Sequence, residues 1–258
     1  MSVAREIGEG IAVEEADTFA LLADIHANVW ALEAVLADVD RRGIARLFDL
    51  GDSLYGPLDP AATADLLLAR AIPSICGNGA RLLRAEPRPP AFQASAERLA
   101  PRHFDWLRAL PPTRVVSDDV LLCHGTPASD TTYLLEPPTG EGGRLRPRDE
   151  IARDLADVPQ RLVCCAHSHI PRVVALNDSM LVVNPGSVGV PAYDDDAPAP
   201  HVMESYTPHA KYAILTRRGR TWAVELVQVP YDWERASARA AALGRPDWAV
   251  ALASGWRY

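Results

Sequence analysis

The chain has no apolar run long enough to cross a bilayer. A charge, a histidine or a proline breaks every stretch within about 12 residues, well short of the roughly 20 a membrane helix needs. It also lacks an excess of positive charge: 26 Lys and Arg stand against 34 Asp and Glu, a net charge of −8. No global cationic field is therefore available to hold a polymer phosphate backbone, which disfavours extended nucleic acid as a partner. Cysteine is scarce. Cys76, Cys123, Cys164 and Cys165 lie in apolar surroundings without the spacing of a zinc knuckle or a disulfide framework, and they read as buried reduced thiols. Met1 to Asp17 lacks the cationic start and apolar centre of a secretory signal, carrying Arg5 among Glu6, Glu9, Glu14, Glu15 and Asp17. The expectation is a flexible acidic leader over 1–17 and a cytoplasmic protein without membrane contact. Internal repeats and low-complexity tracts are missing as well.

What remains is ordinary globular composition, 48% hydrophobic and 23% charged over 258 residues, and it suits one large α/β domain over 18–258. The apolar run Thr18 to Ala23 ends on Asp24, and Asn28 to Arg41 then has helical spacing. Arg46 to Leu50, a helical stretch from Asp59 to Arg70, and a third apolar run from Ile72 to Cys76 continue the alternation. The order βαβαβ predicts parallel strands with right-handed crossovers. After Pro87, Pro89 and Pro90 a helical pattern runs to Leu110, so 81–110 reads as a helical cap. Arg114 to Val116 and Val120 to His124 form a hairpin signal, and Pro127 to Pro147 reads as a long loop. Strands are expected at Leu162 to Ala166, Arg172 to Leu176 and Met180 to Val183, then a Pro-rich acidic loop from Pro191 to Pro208. Lys211 to Thr216 and Thr221 to Val229 alternate as a hairpin, and helices from Asp232 to Leu243 and Asp247 to Ala253 close the chain.

The polar residues at the ends of these strands carry the chemistry. Asp24 and His26 follow the first strand, and Gly51-Asp52, Gly77-Asn78, His124-Gly125 and His167-Ser168-His169 each follow another short apolar run. The crevice outside the carboxyl ends of strands is where open α/β sheets place ligands. Four histidines, two aspartates and one asparagine make a mixed nitrogen and oxygen set. Such a set suits manganese, iron, zinc, nickel or cobalt better than magnesium or calcium.

This series, Asp-x-His, Gly-Asp, Gly-Asn, His-Gly and His-x-His, resembles the calcineurin-like metallophosphoesterase superfamily. Asn184-Pro185-Gly186-Ser187-Val188-Gly189 is further similar to its bacterial branch of YfcE-like and YvnB-like phosphodiesterases. The resemblance implies a four-layer αββα sandwich of two mixed β-sheets. It also implies two divalent metal ions, the first held by Asp24, His26 and His169 and the second by Asn78, His124 and His167, with Asp52 bridging. In such sites the ions lie roughly 3.5–4 Å apart, and a water or hydroxide between them attacks phosphorus in line. The implied partner is a small phosphate mono- or diester. Oligomeric state is left open, with a homodimer among the alternatives. The competing reading is a noncatalytic metal-binding scaffold of the same fold that serves in protein–protein interaction.

The chain departs from the family pattern at Gly79, where a histidine that assists the leaving group usually follows the asparagine. Arg81, His103, His201, His209, Tyr133 and Tyr193 are the candidate replacements, with His201 and His209 reading first as exposed loop residues. Arg81 is the most attractive, because a guanidinium clamps phosphate oxygens in bidentate fashion. Asn28 has two readings, as the cap of the following helix or as an amide that orients substrate or a ligand carboxylate. Asn184 and Ser187 read as turn residues beneath the metal loops.

Overall fold

The computed structural model describes residues 17–138, 143–177 and 179–258, so all but the last residue of the expected leader lies outside the described residues. Eleven strands are described: β1 (Thr18–Leu22), β2 (Leu47–Asp49), β3 (Thr113–Ser117), β4 (Val120–Cys123), β5 (Leu162–Cys164), β6 (Arg172–Ala175), β7 (Leu181–Asn184), β8 (Ala192–Asp195), β9 (His201–Glu204), β10 (Ala210–Arg218) and β11 (Thr221–Val229). The described helices are α1 (Val29–Arg41), α2 (Pro60–Ala69), α3 (Asn78–Leu83), α4 (Pro90–Ala96), α5 (Pro101–Ala109), α6 (Arg148–Asp154), α7 (Trp233–Ala242) and α8 (Pro246–Ser254).

The strands form two mixed sheets, one in the order β11-β10-β1-β2 and the other β3-β4-β5-β7-β6. Strand alternation sorts their side chains into layers. Phe19 and Leu21 of β1 pack with Leu122 of β4, Leu162 of β5 and Val183 of β7, which closes the two sheets face to face. Ala20 and Leu22 point the other way, onto Leu32, Val35 and Val39 of α1. On the far side Cys123, Val163 and Val182 meet Ile151 and Leu155, so α6 and its flanks cover the second sheet. Four layers result, as the resemblance implies. Among the described residues no helix is long and apolar enough to cross a membrane.

Three local expectations are corrected. Ile72 to Cys76 is no ladder strand: a single parallel bridge joins Asp49 to Ser74, because Pro73 has no N–H with which to extend the pairing. Pro191 to Pro208 is no loop, since β8 and β9 pair antiparallel from Ala192 opposite Glu204 to Asp195 opposite His201. Its prolines at 198 and 200 sit in the connection between the strands, where no ladder bond is lost. The short helix α6, with Asp149 and Glu150 in its first turn, follows the long loop without having been anticipated.

Candidate metal centre

All seven donor residues converge at the carboxyl ends of the facing sheets. Asp24 and His26 follow β1, Asp52 follows β2, His124 follows β4, His167 and His169 follow β5, and Asn78 opens α3. Backbone bonds stitch these loops together, with Asp24 N donating to Gly51 O at 3.0 Å, His26 N to Asp52 O at 3.0 Å, and Ala166 N to His124 O at 2.7 Å. Asp24, His26, Asp52, His167 and His169 all have positive φ, between 49° and 71°. Five donor residues in a region that side chains disfavour mark strain held in place by the surrounding fold.

The histidines are oriented by carbonyl oxygens, which can only accept. His26 Nδ1 donates to Tyr55 O at 2.9 Å, His124 Nδ1 to Leu50 O at 2.8 Å, and His169 Nδ1 to Val190 O at 2.7 Å. With Nδ1 so held, each ring turns its Nε2 inward, and in the neutral form that nitrogen offers a lone pair. The His26 and His169 Nε2 atoms face each other at 3.2 Å, and Asp24 Oδ1 lies 3.4 Å from His169 Nε2 and 3.9 Å from His26 Nε2. That oxygen is buried and has no hydrogen-bond partner, although its neighbour Oδ2 accepts from His167 N at 3.2 Å. Opposed lone pairs beside an orphaned carboxylate oxygen are the arrangement a cation relieves.

The adjoining cluster is built from His124, His167, Asp52 and Asn78. His124 Nε2 lies 3.1 Å from Asn78 Oδ1 and 3.5 Å from Asp52 Oδ2, while Asp52 Oδ1 accepts from Gly79 N at 2.7 Å. Burial works against charge on His124, yet Asp52 and Asp24 raise it to about 10. Burial and the neighbouring His169 lower His26 to about 4, and burial with His124 lowers His167 to about 3. Burial alone would raise Asp24 and Asp52, but the surrounding histidines outweigh it and both carboxyls are lowered. The carboxylates thus stay charged, and two of the rings stay neutral, over the range in which a metal binds. The donors group as Asp24, His26 and His169 on one side and Asp52, His124 and His167 on the other, each set within 4.8 Å.

Two residues expected at the site serve elsewhere. Asn28 is fully engaged: Oδ1 caps α1 at Ala31 N, and Nδ2 donates to Gly189 O at 2.9 Å and Tyr231 OH at 3.1 Å. It braces the loop under the donors and orients neither substrate nor a ligand carboxylate. The Arg81 guanidinium is paired in bidentate fashion with Asp130, at 2.7 and 2.9 Å, so its Nε–Nη2 edge is taken by a carboxylate. Asn184 and Ser187 support the loops as expected, with Ser187 Oγ donating to Asp24 O at 2.7 Å and Asn184 Nδ2 to Ala166 O at 3.1 Å.

Of the other candidates for the missing acid, His103 pairs with Asp65 and His209 lies against Trp233. His201 is buried on β9 and is no exposed loop residue; Tyr133 OH lies 2.9 Å from its Nε2 and 2.8 Å from Tyr193 OH. Tyr193 OH in turn donates to His167 O at 2.9 Å, and Tyr133 stacks on the His167 ring at 4.5 Å. Burial pushes both phenols up, away from the range of an efficient general acid. They read as a brace for His167. A cleft at the donors also gathers Tyr55, Phe92, Arg245 and Trp248. Motif spacing could not single these out, because they come from three separate segments of the chain.

Fold and site together place two candidate metal-donor clusters at the shared rim of two facing sheets. Residues 18–204 match the calcineurin-like phosphoesterase superfamily domain, and the chain belongs to that superfamily. It is similar to an uncharacterised protein, MJ0912 of Methanocaldococcus jannaschii, at 22% identity over 89% of this chain and 94% of that protein. Among solved structures it is similar to a metallophosphoesterase from Sphaerobacter thermophilus, with a TM-score of 0.72, 22% identity, and coverage of 94% of this chain and all of that one. A putative diadenosine tetraphosphatase also shares the fold, with a TM-score of 0.50 and 16% identity over 83% of this chain and 94% of that one.

Proposed function

We propose that the protein is a metal-dependent phosphoesterase that hydrolyses a small phosphate mono- or diester. The observation that carries this reading is the pair of donor clusters with an orphaned Asp24 Oδ1 between inward-facing imidazole nitrogens. Asp24, His26 and His169 would hold one divalent cation, and Asn78, His124 and His167 a second, with Asp52 shared. Cations so held supply Lewis acidity toward phosphoryl oxygens and acidify a coordinated water. The chain's own part is to aim each Nε2 inward by holding the Nδ1 atoms of His26, His124 and His169 on the carbonyls of Tyr55, Leu50 and Val190, and to offset cationic charge with two buried carboxylates. Gly79 contributes only its N–H, to Asp52, and places no proton donor beside Asn78. A Cβ at that position would lie 3.0 Å from Asp52 Oδ1, so glycine also leaves room for the shared carboxylate.

The complete set of seven candidate donors supports the enzyme, and turnover is what separates it from a noncatalytic metal-binding scaffold. The test is elemental analysis of protein purified without chelator, followed by assay of p-nitrophenyl phosphate and bis(p-nitrophenyl) phosphate with manganese, iron, zinc, nickel or cobalt. About two equivalents and metal-dependent turnover are expected. A stoichiometry of one or less, or no turnover with any of these metals, would overturn the reading.

A further inference from the structure

Two clefts meet at the donor clusters, and Asn78, His167 and Asp195 line both. The first, about 360 Å³, runs from His26 and His169 toward α8. Its wall is aromatic. Tyr55 and Phe92 stack at 4.2 Å, and the Trp248 ring stands 5.9 Å from the His26 ring and 6.2 Å from that of Tyr55. The second cleft, about 460 Å³, leaves in another direction between Thr131, Thr132, Tyr133 and Arg146. Each volume suits one organic group of moderate size.

The charges along these walls are already matched. Arg245 Nε donates to Asp247 at 2.9 Å and lies with its guanidinium 5.4 Å from the Trp248 ring centroid. Arg257 pairs with Asp194, and Arg146 pairs with Asp154 at 2.8 Å. Each of these arginines has a carboxylate of its own, and Asp195 adds a further negative charge where the clefts join. Among the described residues each guanidinium on these walls already has a carboxylate partner, so a polyphosphate chain would meet uncompensated repulsion. A monoester has one organic arm and would leave one cleft empty, whereas a diester has two arms diverging from phosphorus.

Building on the phosphoesterase reading, we propose that the substrate is a phosphodiester with one aryl or heteroaryl arm against Tyr55, Phe92 and Trp248, and one polar, uncharged arm beside Thr131 and Thr132. Trp248 is the specificity-determining residue for the aryl arm. Its flat face supplies apolar contact area and ring stacking at small conformational cost.

The binding test needs no turnover. Phenylphosphonate and methylphosphonate, alike in charge and neither hydrolysable, are titrated calorimetrically into manganese-loaded protein. The phenyl compound should bind about tenfold more tightly, Trp248→Ala should remove most of that preference, and Trp248→Phe should restore it. The phenylalanine variant keeps a ring in the wall and decides the matter if the alanine variant fails to fold. The turnover test holds the leaving group constant by comparing p-nitrophenyl phosphate, methyl p-nitrophenyl phosphate and phenyl p-nitrophenyl phosphate, each relative to its reaction with hydroxide. The phenyl diester should show the highest kcat/KM, and Trp248→Ala should lower it far more than that of the methyl diester. Equal binding of the two phosphonates, or a preference untouched by Trp248→Ala, overturns the aryl arm. A monoester that outruns both diesters overturns the diester assignment. If the phenyl preference holds while no ester is turned over, the aryl cleft stands and the phosphoesterase reading falls.

Discussion

Individual residues divide here into the candidate metal donors and those that hold them in place. Asp52 belongs to the first group, as the carboxylate between the two donor sets, with Gly79 N on one oxygen and His124 on the other. Loss of a residue that merely orients a metal ligand costs roughly 10–100-fold, so Asp52→Asn should exceed that in lost activity. It should also do more damage than His26→Ala, which leaves the second donor set whole. Steady-state kinetics and metal content of both variants check this, and equal, mild losses would refute the role given to Asp52. Lys211 illustrates the other group. Its side chain is buried beneath the Ser187 loop, with Nζ donating to His209 O at 2.9 Å and Thr207 O at 3.2 Å. Burial lowers it from 10.5 to about 8. The unfolded chain therefore holds this proton more tightly, and the resulting penalty is fully present below about pH 8 and relieved as pH rises toward 10.5. Lys211→Met should accordingly be most stabilised relative to wild type near pH 7, and that difference should shrink by about 3 kcal/mol by pH 10.5. Urea denaturation across this range measures it; a difference that does not vary with pH would show that Lys211 titrates normally.

At the scale of elements, α8 and the β8–β9 hairpin form one wall of the aryl cleft, although neither carries a donor residue. Gly255 joins them. It ends α8 in the left-handed region at φ 77°, and its carbonyl accepts from Tyr206 N at 3.0 Å. A Cβ there would fall 2.3 Å from Thr207 N. Gly255→Ala should therefore cost more than the roughly 1–2 kcal/mol of a left-handed alanine alone. A clear fall in Tm is expected, with weaker binding of phenylphosphonate because α8 carries Trp248; an unchanged Tm would mean that the cap does not hold α8. Legibility also differed by element. The strands β1, β4, β5 and β10 are apolar enough to read locally, and the helices α1, α2 and α7 begin at Asn28, Asp59 and Asp232, each of which caps its first turn. β8 and β9 were masked by Pro191, Pro198, Pro200 and the Asp194–Asp196 run. Their pairing depends on burial of Ala192, His201 and Met203, which only the surrounding fold provides.

For the molecule as a whole, the donor set works as a clasp. Asp24, His26 and Asp52 come from the sheet containing β1 and β2, while His124, His167 and His169 come from the sheet containing β4 and β5. Metal binding should therefore stabilise both layers together. At a free concentration 100 times Kd each site adds about 2.7 kcal/mol, which for a domain of this size is roughly 5–10 °C in Tm. Calorimetry of EDTA-dialysed and reconstituted protein checks this, and identical Tm values would mean that the clusters do not bind metal in the folded state.

The sequence by itself determined the seven candidate donors, their places at strand ends and the layered α/β character, because strand alternation, helix spacing and the short motifs are local properties of the chain. It also determined the absence of a proton donor at Gly79. Only the tertiary structure decided that Asn28 braces a loop, that Asp130 occupies Arg81, and that His201 is buried against Tyr133. The aromatic wall is of the same kind: Tyr55, Phe92 and Trp248 lie far apart along the chain and share no periodicity. Which of them face a common cleft depends on how the layers pack, and no spacing rule encodes that.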